Sequence, residues 1–175
     1  MLSESERAGI EEAARHYDES ASAVGDALMI VQESRGWVSD EAVADVAGEL
    51  GLSVEDVDAV ATFSDLVFRR PVGRNVILVC DSVSCWITGY EAVVEHLKAR
   101  LGIGLGQTTA DGMFTLLPVG CLGACEQGPA MMINGELLGN LTPARIDEAL
   151  ARYARGARSA SNARNGGGYD RKATD

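Results

Sequence analysis

Only four of the 175 residues are cysteine, and they form two tight pairs: Cys80 and Cys85 in CDSVSC, and Cys121 and Cys125 in CLGAC. Four thiolates complete a [2Fe-2S] cluster, two on each iron. They equally complete a structural zinc site. The commonest zinc clasp is C-x2-C, whereas these pairs are C-x4-C and C-x3-C, and a redox dithiol would be expected as C-x-x-C. Spacing alone therefore favours iron and sulfur while leaving zinc and thiol chemistry open. The plant-type ferredoxin order is not matched, because the third cysteine follows the second by 36 residues. A Rieske centre would need two histidines as ligands. The only two here, His16 and His96, fall in predicted helices away from the cysteines and read as surface residues.

The residues around the thiols suit an electron carrier. Ser82, Ser84, Gly123 and Gly128 are small, so backbone N–H groups can approach sulfur and favour the reduced, more negative state. Asp81 and Glu126 oppose added negative charge and point the other way, to a low potential. If the protein saturates both irons, no coordination site is left for a substrate. Other chemistry is missing: Gly102-Ile-Gly104-Leu-Gly106 is not a dinucleotide fingerprint and reads as a link, and there is no P-loop or nucleophile elbow. Trp86, next to Cys85, suits either a shield or partner contact, or ordinary packing.

Positioning four remote thiols requires a fold, and the pattern changes near residue 72. Before it, helices are predicted from Ser3 (with Glu6 completing a capping box), over about 20–34, from a Ser39 cap to Gly51, and from a Ser53 cap to about Val67. Arg69-Arg70-Pro71-Val72-Gly73 breaks the pattern. Asn75–Val79 then reads as a buried strand leading into Cys80. Thr88 and Glu91 suggest a capping box opening a helix with Tyr90, Val93, Val94, Leu97 and Leu101 on one face. A second strand is expected from Phe114 to about Val119, with pairing ending at Pro118. Asn134-Gly135 signals a hairpin between 130–133 and 136–138. Thr142-Pro143 starts a last helix. A mixed sheet with helices against it follows, and a right-handed βαβ unit would bring both cysteine loops to one end of that sheet. The expected organisation is a helical bundle over 1–72, an α/β domain over 73–156, and a disordered basic tail over 157–175.

The net charge of −11 resides in the body, with 24 acidic and 9 basic residues through Ala151 against 2 and 6 beyond it. Such a body repels phosphate backbones, which argues against nucleic acid as a partner. No eighteen-residue apolar run offers a membrane span. The acidic, amphipathic start does not read as a secretory signal, so a reducing cytoplasmic setting is expected, where paired cysteines are metal ligands more often than disulfides.

At IVQESRGWVSDEAV (30–43), VEDVDAVATFSDLVFRRPVGR (54–74), CDSVSCWITGYE (80–91), GQTTADGMFTLLPVGCLGACEQGPAMMIN (106–134) and NLTPARIDEAL (140–150), the chain resembles a known family. It is similar to the thioredoxin-like [2Fe-2S] subunit, the E-type or 24 kDa subunit, of bacterial respiratory complex I, NADH:quinone oxidoreductase. The resemblance covers about 17–154. It implies a helical bundle followed by a thioredoxin-like domain, with Cys80, Cys85, Cys121 and Cys125 as ligands of the cluster termed N1a. It also implies a non-catalytic electron-transfer subunit beside a flavin- and NADH-binding subunit that carries the FMN and NADH. A neighbouring large iron-sulfur subunit is implied too, in the peripheral arm on the cytoplasmic face. The equivalent subunit of a soluble NAD-linked hydrogenase or formate dehydrogenase is the alternative, and a zinc-stabilised adaptor is a third reading. Ser64 and Asp18 depart from the family's usual tyrosine and proline, away from the cysteines.

Overall fold

A computed structural model of the chain describes residues 1–156 and divides it into two compact units, Met1–Val72 and a second beginning at Gly73. The predicted tail, 157–175, lies outside the described residues.

The first unit is four helices: α1 (Glu4–Ala14), α2 (Val24–Arg35, entered through a 3-10 turn at Ser20–Ala23), α3 (Asp40–Leu50) and α4 (Val54–Phe63). Their starts follow the predicted caps. The Ser3 hydroxyl accepts from the Glu6 N–H while the Glu6 carboxylate accepts from the Ser3 N–H, a complete capping box. Ser39 and Ser53 cap α3 and α4 in the same way, each hydroxyl accepting a backbone N–H three residues on. Gly36 and Gly51 end α2 and α3 in the left-handed conformation that glycine adopts without strain. Ile10, Leu28, Val31, Val43, Val46 and Val57 form one apolar core.

Helix α4 ends at Phe63, four residues before the predicted Val67, and a side chain explains the early stop. Gln32, on the buried face of α2, donates to the Leu66 carbonyl (2.8 Å) and accepts from the Phe68 N–H (2.6 Å). These bonds draw 64–68 across the bundle in an irregular path and tuck Val67 into the core. A buried ion pair lies elsewhere in the unit. Arg35 Nε and Nη2 reach the two oxygens of Glu6 at 2.8 and 2.9 Å, and Glu6 is only 3% exposed. The Arg35 guanidinium holds the Glu6 carboxyl down at about 2, against the opposing effect of burial and with help from Ser3.

The second unit runs β1 (Asn75–Cys80), α5 (Val83–Thr88), α6 (Tyr90–Leu101), β2 (Gln107–Thr108), β3 (Phe114–Val119), β4 (Met131–Ile133), β5 (Glu136–Leu138) and α7 (Pro143–Ala154). The sheet order is β2-β3-β1-β4-β5, with β1 parallel to β3 and the other neighbours antiparallel. All of β1 is buried, as expected of a central strand with covered faces. Ile77, Val79, Leu116, Met131 and Ile133 from the sheet pack with Val93, Val94 and Leu97 of α6 and Ile146, Leu150 and Tyr153 of α7. The Tyr153 hydroxyl donates to the Ile133 carbonyl (3.1 Å) and contacts Glu136, which also accepts from Arg152. The hairpin turns at Asn134 (φ 48°) and Gly135 (φ 86°), as its Asn-Gly signal predicts.

Three expectations change. Thr88 does not cap α6: it is the last residue of α5, and its hydroxyl donates back to the Ser84 and Cys85 carbonyls. Gly89 (φ 121°) then turns the chain into α6. Pro118 does not end the pairing with β1, whose ladder continues to Cys80 opposite Val119. On β3, Phe114 and Leu116 bond toward the β2 side, so Pro118 turns its missing N–H to that side too, beyond the end of β2. His96 is not a free surface residue: its Nε2 lies 2.9 Å from Asp147, linking α6 to α7. His96 and then Arg100 hold the Asp147 carboxyl below its ordinary range.

Glu6 titrates lower in the folded chain than in the unfolded one. Its pair with Arg35 therefore contributes fully above about pH 4.5 and is lost as pH falls toward about 2. Glu6→Gln is expected to destabilise the first unit by on the order of 2 kcal/mol at pH 7 and to flatten that acid dependence. Urea unfolding followed by Trp37 fluorescence in a Trp86→Phe background measures both.

Candidate metal centre

The parallel pairing of β1 and β3 places the site. Cys80 ends β1 opposite Val119, and Cys121 follows Val119 by two residues, so both cysteine loops leave the same edge of the sheet. The Asp81 N–H donates to the Val119 carbonyl (3.0 Å) and the Cys80 N–H to the Ala130 carbonyl (3.1 Å). These bonds fix Cys80 between the exit of β3 and the entry to β4. Helix α5 begins two residues after Asp81 and turns Cys85 inward while Val83, Trp86 and Ile87 face out. Trp86 is 59% exposed, so it is not a core residue.

The thiols of the first pair are both buried, and their environments separate them. Burial pushes the Cys80 thiol up, but hydrogen bonds from the Ser82 side chain and N–H, the Leu122 N–H and Cys85 outweigh it, leaving Cys80 below its ordinary value. Burial, the hydrogen bond to Cys80 and the charge of that sulfur push Cys85 up, against the Ala130 N–H. Ser82 occupies the N-cap of α5, yet its hydroxyl makes no cap bond and lies 3.3 Å from Cys80 Sγ instead. Leu122 belongs to the other cysteine loop, so the two loops meet at the Cys80 sulfur.

The second pair differs. Cys121 and Cys125 are exposed, on the irregular segment between β3 and β4. Cys121 Sγ accepts from the Gly123 N–H at 3.3 Å, and Gly123 takes a φ of 73° to aim it. Among the described residues no three cysteine, histidine, aspartate or glutamate side chains converge to hold a single ion. A two-iron cluster asks less of the protein, since each pair can clasp its own iron. All four thiols are free, and N–H or O–H donors already serve the sulfurs of Cys80, Cys85 and Cys121. That donor set fits a cluster of partly negative sulfurs. The carboxylates of Asp81 and Glu126 are exposed, so solvent screens their charge.

Residues 10–154 match the model of the thioredoxin-like [2Fe-2S] ferredoxin family. The chain belongs to this family. It is 50% identical over 153 residues to the E-type subunit of NADH-quinone oxidoreductase from Pseudomonas aeruginosa, covering 87% of this chain and 92% of the relative. It is likewise 50% identical over 152 residues to the same subunit from Escherichia coli K12, with the same coverage. Among solved structures it resembles an NAD+-reducing [NiFe]-hydrogenase in the H2-reduced state, with TM-score 0.62 and 29% identity. That match covers 75% of this chain but only 22% of the hydrogenase chain, so the chain spans about a fifth of that protein's length.

Sequence reasoning missed α5, the element that buries Cys85. The 83/86/87 spacing of its outer apolar residues was the available signal, masked by reading CDSVSC as a loop. It also missed Gly139. A Cβ there would overlap Gln127 Cβ and stand 2.9 Å from the Gln127 carbonyl oxygen, which accepts from the Asn140 N–H at 2.5 Å. Only a glycine lets the exit of β5 press against the segment carrying Cys125. Gly139→Ala is expected to displace residues 125–128 and weaken cluster retention several-fold, with a thermal shift of only a few degrees. Iron released to a chelator over time, compared with wild type, checks this.

Proposed function

We propose that Cys80, Cys85, Cys121 and Cys125 are the four ligands of one [2Fe-2S] cluster, of the type termed N1a. In this reading the chain uses it as the E-type electron-transfer subunit of an NADH-quinone oxidoreductase. What carries the assignment is the register of β1 and β3, which delivers both cysteine pairs to one sheet edge. It is supported by family membership and by identity running over 92% of the Pseudomonas aeruginosa relative.

When bound, the cluster supplies one-electron transfer at an iron pair whose ligand positions are all filled by protein. The chain's own residues do the rest. Strand β1 and helix α5 hold Cys80 and Cys85 in a water-poor setting. The Ser82 hydroxyl and the N–H groups of Leu122, Gly123 and Ala130 stabilise negative charge on sulfur, which favours the reduced state. FMN and NADH belong on a partner, the flavin- and NADH-binding subunit, with a large iron-sulfur subunit nearby. The assembly would sit in the peripheral arm on the cytoplasmic side. No helix among the described residues is long and apolar enough to cross a membrane. The hydrogenase likeness favours a second reading, the equivalent module of a soluble NAD-linked hydrogenase.

The purified chain is expected to hold two irons and two sulfides, to be red-brown, and to give a mixed-valence [2Fe-2S] paramagnetic signal after dithionite. A colourless protein holding one zinc would leave only a non-redox adaptor. Cys121→Ala is expected to lose that signal and most of its iron while the first unit keeps its unfolding transition. Normal iron content in this variant would overturn the ligand assignment. Co-purification separates the two assemblies: a flavoprotein with quinone-reductase subunits supports the first, and a hydrogenase large subunit the second.

A further inference from the structure

The two cysteine pairs are unequal in a way that electron transfer does not require. Cys80 and Cys85 are 3% and 1% exposed and sit on a strand end and a helix. Cys121 and Cys125 are exposed and sit on the irregular segment between β3 and β4. A cluster cannot be delivered to all four at once while another molecule still holds it. The first exchange has to be made by thiols that can reach an iron outside the protein surface.

We propose that Cys121 and Cys125 are the acceptor pair for cluster delivery and that Cys80 and Cys85 close the site second. This rests on the four-cysteine ligand reading above. The donor is a thiolate-held [2Fe-2S] cluster, on a small thiol or on a carrier protein. In each exchange one iron–sulfur bond to the donor breaks and one to this chain forms. The incoming cysteine's proton goes to the departing thiolate or to water, and no electron is gained or lost. Exposure lets Cys121 and Cys125 act while the donor still covers the other iron. The Asp81 N–H, bonded to the Val119 carbonyl, ties the root of the acceptor loop to that of the buried pair, so the second pair of exchanges starts from loops already joined.

Two measurements on the full-length apo chain test this. A short pulse of N-ethylmaleimide, read by peptide mass spectrometry, is expected to label Cys121 and Cys125 at least about ten-fold faster than Cys80 and Cys85. Equal labelling, or faster labelling of the buried pair, overturns the proposal. The second measurement mixes the apo chain with a [2Fe-2S] cluster held by glutathione and follows it by native mass spectrometry. Cys80→Ser/Cys85→Ser is expected to trap an adduct of chain, two irons, two sulfides and two glutathiones, and Cys121→Ser/Cys125→Ser to trap none in the same time. The reverse pattern overturns the order of exchange. Wild type, loaded in parallel, separates the two failures. If it takes up two irons and two sulfides with the order reversed, only this inference falls. If it takes up none, the ligand reading falls and this inference with it.

Discussion

The side-by-side, same-direction pairing of β1 and β3 is the constraint on which the rest depends. Parallel strands place their C-terminal ends at one edge, and the register sets Cys80 opposite Val119. Two cysteine pairs that are remote in the chain therefore leave the sheet together. An antiparallel arrangement of these strands would have put the pairs at opposite ends, out of reach of any shared cofactor. The parallel choice requires a crossover, supplied here by α5 and α6. The crossover then contributes to the site itself, because its first helix carries Cys85.

Around that edge backbone N–H groups share the electrostatic role with one hydroxyl. Leu122, Gly123 and Ala130 contribute N–H groups rather than side chains, and Ser82 gives up a helix cap to face sulfur. Such donors act on charge without adding a titratable group. They also tie the loops to one another: Leu122 from one cysteine loop serves a sulfur of the other. The hairpin participates too. Ala130, just before β4, accepts from the Cys80 N–H and serves the Cys85 sulfur, while Gly139, just after β5, leaves room for Gln127. The Asn134-Gly135 turn thus matters to the site through the position of the strands it joins.

The first unit is stabilised by its own interactions. Its apolar core is closed by Gln32, whose amide satisfies one donor and one acceptor of the irregular segment after α4, and by the Glu6–Arg35 pair. Buried polar groups of this kind stabilise only when fully paired, and both are. Phe63, at the end of α4, is 91% exposed, so the apolar character of that helix is not spent on its own core alone.

Much of this was legible in the chain. Ser3, Ser39, Ser53 and Thr142 opened helices, Gly36 and Gly51 closed them, and Asn134-Gly135 turned the hairpin, because each acts through bonds to residues within a few positions. The four cysteines and their likeness to a family were legible for the same reason: ligand type and spacing are written in order. Thr88 misled because its capping signal with Glu91 competed with back-bonding into a helix that short-range pattern did not reveal. The end of α4 depended on Gln32, more than thirty residues away, and the tolerance of Pro118 depended on where β2 stops. Residue order thus determined which groups offer thiolate chemistry. The tertiary structure alone decided that one pair is buried while the other is exposed, since burial and N–H···S geometry arise only when β1, α5, β3 and β4 are packed together.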